Sequence, residues 1–198
     1  MPRGARGAKK ARGAGSPQDV RDGVVASPSP PEPVEVVREM ALRSLDRRAY
    51  GTAELKAVLL RKGADEAVAD DVLARLTRVG LLDDQAYAAA LVEERHGIRH
   101  QSRRAVVYDL RRRGLDDEAV EAATAGLDDA ADWEGARRVA AQKAPRLAGL
   151  DEITARRRLA GALARKGYSP AVVSGVVAET LRDIKDRDME TSSWPADG

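Results

Sequence analysis

"RKGYSPAVV", residues 165–173, joins a basic pair, a glycine, one larger residue, a helix-capping residue and an apolar start, and the chain carries this pattern twice more. The other copies are "RKGADEAVA" at 61–69 and "RRGLDDEAV" at 112–120, so Gly63, Gly114 and Gly167 stand 51 and 53 residues apart. A glycine just past a helix end takes the left-handed conformation that other residues resist, and the residue after it packs against one five positions back. The pairs expected here are Ala64 with Leu59, Leu115 with Leu110 and Tyr168 with Leu163. Arg61/Lys62, Arg112/Arg113 and Arg165/Lys166 then fall in the last helical turn, where cations suit the negative end of the helix dipole. Asp65, Asp116 and Ser169 are good N-caps two residues past each glycine, and Pro170 takes the favoured first helical position. Each copy reads as helix, tight turn, helix.

The apolar spacing agrees. Leu55 and Leu59, Val106 and Leu110, and Leu159 and Leu163 lie eight and four residues before the glycines, on one face of a helix. Val68 and Val72, Ala119 and Ala123, and Val172 and Val176 continue the period in the helix that follows. A further helix is expected before each pair, over 36–49, 84–97 and 133–144, the last stopping at Pro145. The predicted fold is all-α: tandem three-helix repeats in an elongated, curved array with disordered termini. The expected divisions are a basic Gly/Pro/Ser-rich tail over 1–33, repeats over 34–83, 84–130 and 131–186, and an acidic tail over 187–198.

Composition narrows the function classes. Aromatic content of 3% without Phe leaves a core of Leu, Val and Ala, which suits thin helical units better than a sandwich or barrel. The absence of Cys excludes a disulfide scaffold and thiolate chemistry. No apolar run approaches the roughly twenty residues that cross a membrane, and the N-terminus lacks the apolar core of a signal peptide. The expectation is a soluble, cytoplasmic protein. Residues 1–22 hold six basic residues against two acidic ones, a local charge of +4 that leaves −2 for the rest of a chain whose net charge is +2. The tail is suited to touching nucleic acid or to serving only as a solubilising arm.

Charge is sorted along the helices. With Val106 at the centre of a buried stripe, a turn of 100° per residue puts Arg104, Tyr108, Arg111 and Arg112 on the opposite face. Arg103 adjoins them. Around Leu159 the same construction exposes Arg157, Arg158 and Arg165, and around Leu55 it exposes Arg61. Arg61, Arg112 and Arg165 hold one helical angle in all three copies, an array fit to track phosphates or an acidic groove on a filamentous partner. Cations at helix C-termini are also ordinary dipole partners. His96 and His100 stand four apart, but Gly97 interrupts the helix and no third ligand accompanies them, so loop histidines are expected. In "GLLDDQAY", Gly80 reads as a helix stop and Asp83 or Asp84 as the next cap rather than as an acid/base pair. Trp133 is placed inside the third unit. No phosphate-binding glycine loop, hydrolase triad or metalloprotease motif is present, so no enzyme, cofactor or metal is expected.

The run "GLLDDQAYAAALVEER" from Gly80, following "ELKAVLLRKGADEAVADDVLARL" and leading into "RRAVVYDLRRRGLDDEAVEAA", resembles the RecX family of regulatory proteins. The likeness covers roughly residues 38–183; its most specific part is the joint of Gly80, Leu82, Asp84, Tyr87, Ala88 and Arg95. Tyr87, and Tyr168 in "LARKGYSPAVV", stand where the family often has Phe. The resemblance implies a monomeric chain of three-helix units that lies along the RecA filament on single-stranded DNA. It hinders ATP hydrolysis, strand exchange and coprotease action there, and so tempers recombination and the SOS response. Sequence-independent contact with double-stranded DNA is a further expectation, and no membrane is involved. The contact residues expected on this reading are Arg61, Arg95, Arg103, Arg104, Tyr108, Arg111, Arg112, Arg113, Arg157, Arg158, Arg165 and Lys166, with Gly63, Gly80, Gly114 and Gly167 as structural turns.

A DNA reader built of helix-turn-helix-like units is the alternative from another class, and a helical adaptor is the third. A base reader needs one helix per unit rich in Arg, Asn, Gln or Ser. "DEAVADDVLARL" and "DDEAVEAATAGL" are instead rich in Ala, Val and Asp.

Overall fold

The computed structural model describes residues 33–192, apart from the side chains of 188 and 190–192. The expected disorder of the basic tail over 1–32 and of 193–198 lies outside the described residues. Nine α-helices form three consecutive groups and no strand occurs among the described residues. The first group is α1 (Pro33–Leu45), α2 (Thr52–Arg61) and α3 (Glu66–Arg78). The second is α4 (Asp84–Val92), α5 (Arg103–Arg112) and α6 (Asp117–Thr124), and the third is α7 (Asp129–Lys143), α8 (Glu152–Arg165) and α9 (Pro170–Ser192). No described helix is long and apolar enough to cross a membrane.

The repeated glycines do what their sequence context predicts. Gly63, Gly114 and Gly167 have φ of +88°, +82° and +91°. The amides of Ala64, Leu115 and Tyr168 donate back to the carbonyls of Leu59, Leu110 and Leu163, at 3.1, 3.4 and 3.4 Å. Each closes a six-residue helix stop that satisfies an orphan carbonyl and seats the following side chain on the helix just ended. Gly80 makes a fourth such stop, with φ of +74° and Leu81 N donating to Leu76 O at 2.9 Å. Asp65, Asp116 and Ser169 then cap the amides of Val68, Ala119 and Val172.

Each group closes on its own core. Val37, Ala41, Leu55, Leu59, Val72 and Leu76 are buried together in the first, and Tyr87, Ala88, Val106, Leu110, Leu115 and Val120 in the second. Ala136, Val139, Leu159, Leu163, Tyr168, Val172 and Val176 fill the third, with Trp133 packed against them. Alanine is the enabling residue. Ala88 of α4 and Ala119 of α6 are both buried, so two helices pack closely across side chains of one carbon.

Several element ends differ from the sequence reading, α1 for one starting at Pro33 rather than 36. α1 stops at Leu45 rather than 49, as Asp46 N and Arg47 N turn back to Leu42 O and Ser44 O. α7 starts at Asp129 rather than 133, because Asp128 accepts from Ala131 N and is the cap. The helix of α4 is not ended by Gly97 but widens into a π-helical turn over Glu93–Ile98, with Gln101 N reaching Arg95 O at 2.8 Å. α9 runs to Ser192, through the first residues of the expected acidic tail, since no Gly or Pro interrupts 176–194.

Candidate partner-binding surface

The three units are joined by one repeated device. At the first joint the opening amide of α2, Thr52 N, donates to Asp84 Oδ1 at 2.8 Å, so the second unit caps a helix of the first. Gly51, the residue before α2, has no side chain to do this itself. At the second joint Arg103 N, opening α5, donates to Asp132 Oδ1 at 2.8 Å. Beside each cap lies the glycine turn of the following unit. A Cβ on Gly114 would come to 2.6 Å from Ala53 Cβ; one on Gly167 would come to 2.7 Å from Ser102 Oγ and 2.8 Å from Ala105 Cβ. Ser102 N also donates to Lys166 O at 3.0 Å. Asp83 and Asp84, alternatives as a cap in the sequence, both cap: Asp83 holds Ala86 N of its own helix, and Asp84 holds α2.

This geometry divides the basic pairs before the glycines. The first members, Arg61, Arg112 and Arg165, are exposed. The second members turn inward at the joints. Arg113 is 19% exposed; its Nη1 donates to Tyr87 Oη at 2.8 Å and lies 3.2 Å from Glu54 Oε2. Lys166 donates its ammonium to the carbonyl of Arg99, whereas Lys62 is exposed and bonds Ser44 Oγ of its own unit at 3.1 Å.

Glu54 is the hub of the first joint. It accepts from Arg48 Nη2 at 2.7 Å and from Tyr87 Oη at 2.9 Å. Burial by itself would raise its carboxyl, but the hydrogen bonds from Arg48 and Tyr87 and the charges of Arg48 and Arg113 reverse this and hold the pKa below its ordinary value. The Tyr87 hydroxyl is pushed up, by burial first and then by Glu54. Asp109 extends the network, 3.2 Å from Arg95 Nε and 3.5 Å from Arg113 Nε, close enough to pair but not aligned for a hydrogen bond to either. The second joint relies on backbone instead, where Tyr168 Oη donates to His100 O at 2.8 Å. Burial raises the Tyr168 hydroxyl strongly, with Asp132 adding to it. His100 holds a φ of +51°, and His96 Nδ1 lies 2.8 Å from Gln101 O.

What remains at the surface is a smaller set than the sequence proposes. Arg95, Arg113 and Lys166 are engaged within the protein. On α5, Tyr108 is 69% exposed, and Arg104, Tyr108 and Arg112 line an open depression of about 490 Å³ that Gly167 of the third unit completes. Arg103 and Arg104 have no carboxylate partner among the described residues, whereas Arg111 pairs with Asp117 at 2.9 Å and Arg112 with Asp109 at 3.5 Å. On α8, Arg157, Arg158 and Arg165 are exposed, and Lys143 and Arg146 from the end of α7 and the 3₁₀ turn after it (Ala144–Arg146) stand across from them. Those last two cations are absent from the sequence reading. The signal available was a pair of cations flanking Pro145, with nothing to say which wall they would face.

Comparison with known proteins accounts for all three units. Residues 38–76, 83–123 and 130–177 match the first, second and third three-helix domains of RecX. The chain is 38% identical to "Regulatory protein RecX" of Mycolicibacterium smegmatis over 175 residues, covering 86% of this chain and 93% of that one. It is 37% identical to the protein of that name from Amycolatopsis mediterranei, covering 78% and 88%. The crystal structure of RecX from Lactobacillus salivarius shares the fold, with a TM-score of 0.62 at 19% identity over 75% of this chain and 96% of that one.

Proposed function

The chain belongs to the RecX family, and from that premise we propose that it is a non-catalytic regulator which binds the RecA filament on single-stranded DNA and restrains ATP hydrolysis, strand exchange and coprotease action, in the cytoplasm and as a monomer. The observation that carries this reading is the exposed face of α5. Tyr108, a large amphipathic ring left 69% in solvent, stands among Arg104 and Arg112 beside the joint with the third unit. Exposed aromatics flanked by arginine are the side chains that anchor protein interfaces, because each contributes much contact area for little lost freedom.

The fixed joints support a filament partner. Units held in register by helix caps and seated glycines present their faces at fixed intervals, and weak contacts linked along one chain add through effective concentration. Arg61, Arg103, Arg104, Arg111, Arg112, Arg157, Arg158 and Arg165 are the exposed cations offered to partner or DNA, with Arg113 and Lys166 holding the joints and Arg95 paired to Asp109 within the second unit. A base-reading role is disfavoured by α3 and α6, whose Val72, Leu73, Leu76, Ala119 and Val120 are buried; the outer face of α6 carries Asp117, Glu118 and Glu121, and that of α3 sets Glu66, Asp70 and Asp71 beside Arg75 and Arg78.

The test is ATP hydrolysis by the RecA of the same organism on single-stranded DNA, titrated with the purified full chain. Suppression that grows with the ratio of chain to RecA is the expected result. No suppression up to equimolar ratio would remove the reading.

A further inference from the structure

In the first two units the middle helix starts under cover, because the unit that follows caps Thr52 of α2 and Arg103 of α5. No unit follows the third among the described residues, and the start of α8 lies open. A groove of about 380 Å³ begins there, at Glu152 and Ala155, with Leu147 and Leu150 beside them. Its other wall is α9, through Leu181, Ile184, Lys185 and Met189, one stripe at helical spacing.

The length of α9 makes that wall. It starts three residues after its glycine, as α3 and α6 do, but runs for 23 residues against their 13 and 8. Ile184, Lys185 and Met189 lie beyond the point where α3 stops. The last unit of a repeat array needs its open end closed, and the added turns do part of this, since Leu181 and Ile184 pack against the third core. They leave Met189 56% exposed at the edge of a groove whose lining is apolar except for Glu152 and Lys185.

The groove runs along α9 toward Ser192, where "SWPADG", residues 193–198, takes over. Trp194 is the one large apolar residue of that segment, and Asp197 its one acid. An indole supplies more contact area than almost any other side chain and is a favoured anchor for a pocket. Charge agrees. Glu152 is answered by Arg156 at 2.7 Å, whereas Lys185 has no carboxylate partner among the described residues and suits Asp197. Reach agrees too. Lys185 precedes Ser192 by seven residues, about 10 Å of helix; two residues of extended chain return about 7 Å, and the indole spans the remainder. Pro195 disfavours helical backbone at Trp194, as leaving the axis of α9 requires. A segment tethered at the mouth of the groove also meets it at high effective concentration.

We propose that residues 193–198 return over this groove and seat the Trp194 indole in it, closing the end of the third unit in place of the loose tail that the sequence suggests. The proposal stands apart from the regulatory reading, and its test uses no recombinase.

Trp194→Ala is compared with the parent as full chains, and the difference between their emission spectra isolates Trp194 from Trp133. That difference should be blue-shifted from free indole and shielded from acrylamide. Trp194→Ala should melt about 3–6 °C lower, the scale on which one seated side chain moves a chain of this size. The same difference taken in a Met189→Asp background should match free indole, with helical content unchanged. Free-indole emission from Trp194 in the parent, or a shielded emission that Met189→Asp leaves unmoved, overturns the proposal. So does shielding that is lost on dilution, with the parent sedimenting as a dimer and Trp194→Ala as a monomer, which would give the groove to a second copy of the chain.

Discussion

Thr52 and Asp84, 32 positions apart, share a 2.8 Å hydrogen bond in which the first amide of α2 is capped by the unit that follows it. Arg103 and Asp132 repeat the arrangement one joint later at the same distance. A cap of this kind couples two levels of structure, since the helix end it satisfies belongs to one unit and the carboxylate to another. Fraying of α2 and loosening of the joint become one event.

Asp84→Ala should therefore cost about 1 kcal/mol, the usual worth of a helix cap, and hydrogen exchange should locate the loss. The Thr52 amide is expected to exchange faster while Ala86, held by Asp83, stays protected. Exposure of Ala86 with Thr52 unchanged would mean that Asp84 serves only its own helix.

Two glycines with almost the same φ should respond differently. Gly63→Ala meets no atom of the described residues within 4 Å and carries only the cost of a left-handed alanine, about 1 kcal/mol. Gly114→Ala carries that cost and also drives its methyl against Ala53 Cβ. It should lose about 2–3 kcal/mol in urea unfolding, within the range of overpacked sites. Equal losses at both positions would show that the joint yields freely.

Stability should fall on the acid side through Glu54. Its folded carboxyl titrates below the unfolded one, so its contribution is complete above about pH 5 and is lost as pH falls through the folded value. Glu54→Gln, which leaves Arg113 and Arg48 without their carboxylate, should cost about 1–2 kcal/mol at neutral pH. The variant and parent should converge in melting temperature as the pH falls through the folded carboxyl's value. Parallel profiles would place the acid sensitivity elsewhere.

Charge reversal at Arg104, Arg111 and Arg112 should weaken inhibition of RecA ATPase, with the melting temperature changed little because these side chains are exposed and their pairs with Asp117 and Asp109 are worth little. Arg113→Glu should do the opposite, lowering the melting temperature first, since it places an acid against Glu54 and Asp109. Intact inhibition in the triple variant would exclude the α5 face as the contact.

The glycine stops, their back-bonded amides and the caps at Asp65, Asp116 and Ser169 were legible because every partner lies within six residues in the sequence. The joints were not. Arg113 and Glu54 are 59 positions apart, and Arg112 and Arg113 look alike in "RRRG". One step of 100° sends the first to solvent and the second into the joint, but only the position of the preceding unit gives that step its meaning. Of the six residues most specific to the RecX resemblance, Gly80, Leu82, Asp84, Tyr87, Ala88 and Arg95, three (Asp84, Tyr87 and Arg95) lie in or beside the joint network. The cationic surface of the third unit was half legible. α8 supplied its arginines by periodicity, whereas Lys143 and Arg146 join them only because α7 and the 3₁₀ turn end opposite.

The two joints also bear on how such a chain can lengthen. Only the second unit carries both halves, the Gly114 turn with Asp84 toward the first unit and the helix start at Arg103 toward the third, so a copy of that unit set in tandem would arrive with both halves of its coupling already made. The Gly63 turn, with nothing packed against it among the described residues, is the corresponding turn of the first unit. Growth by duplication needs no invention at the seam; it needs only tuning, such as the exchange of an ionic hub at Glu54 for carbonyl acceptors at Arg99 and His100.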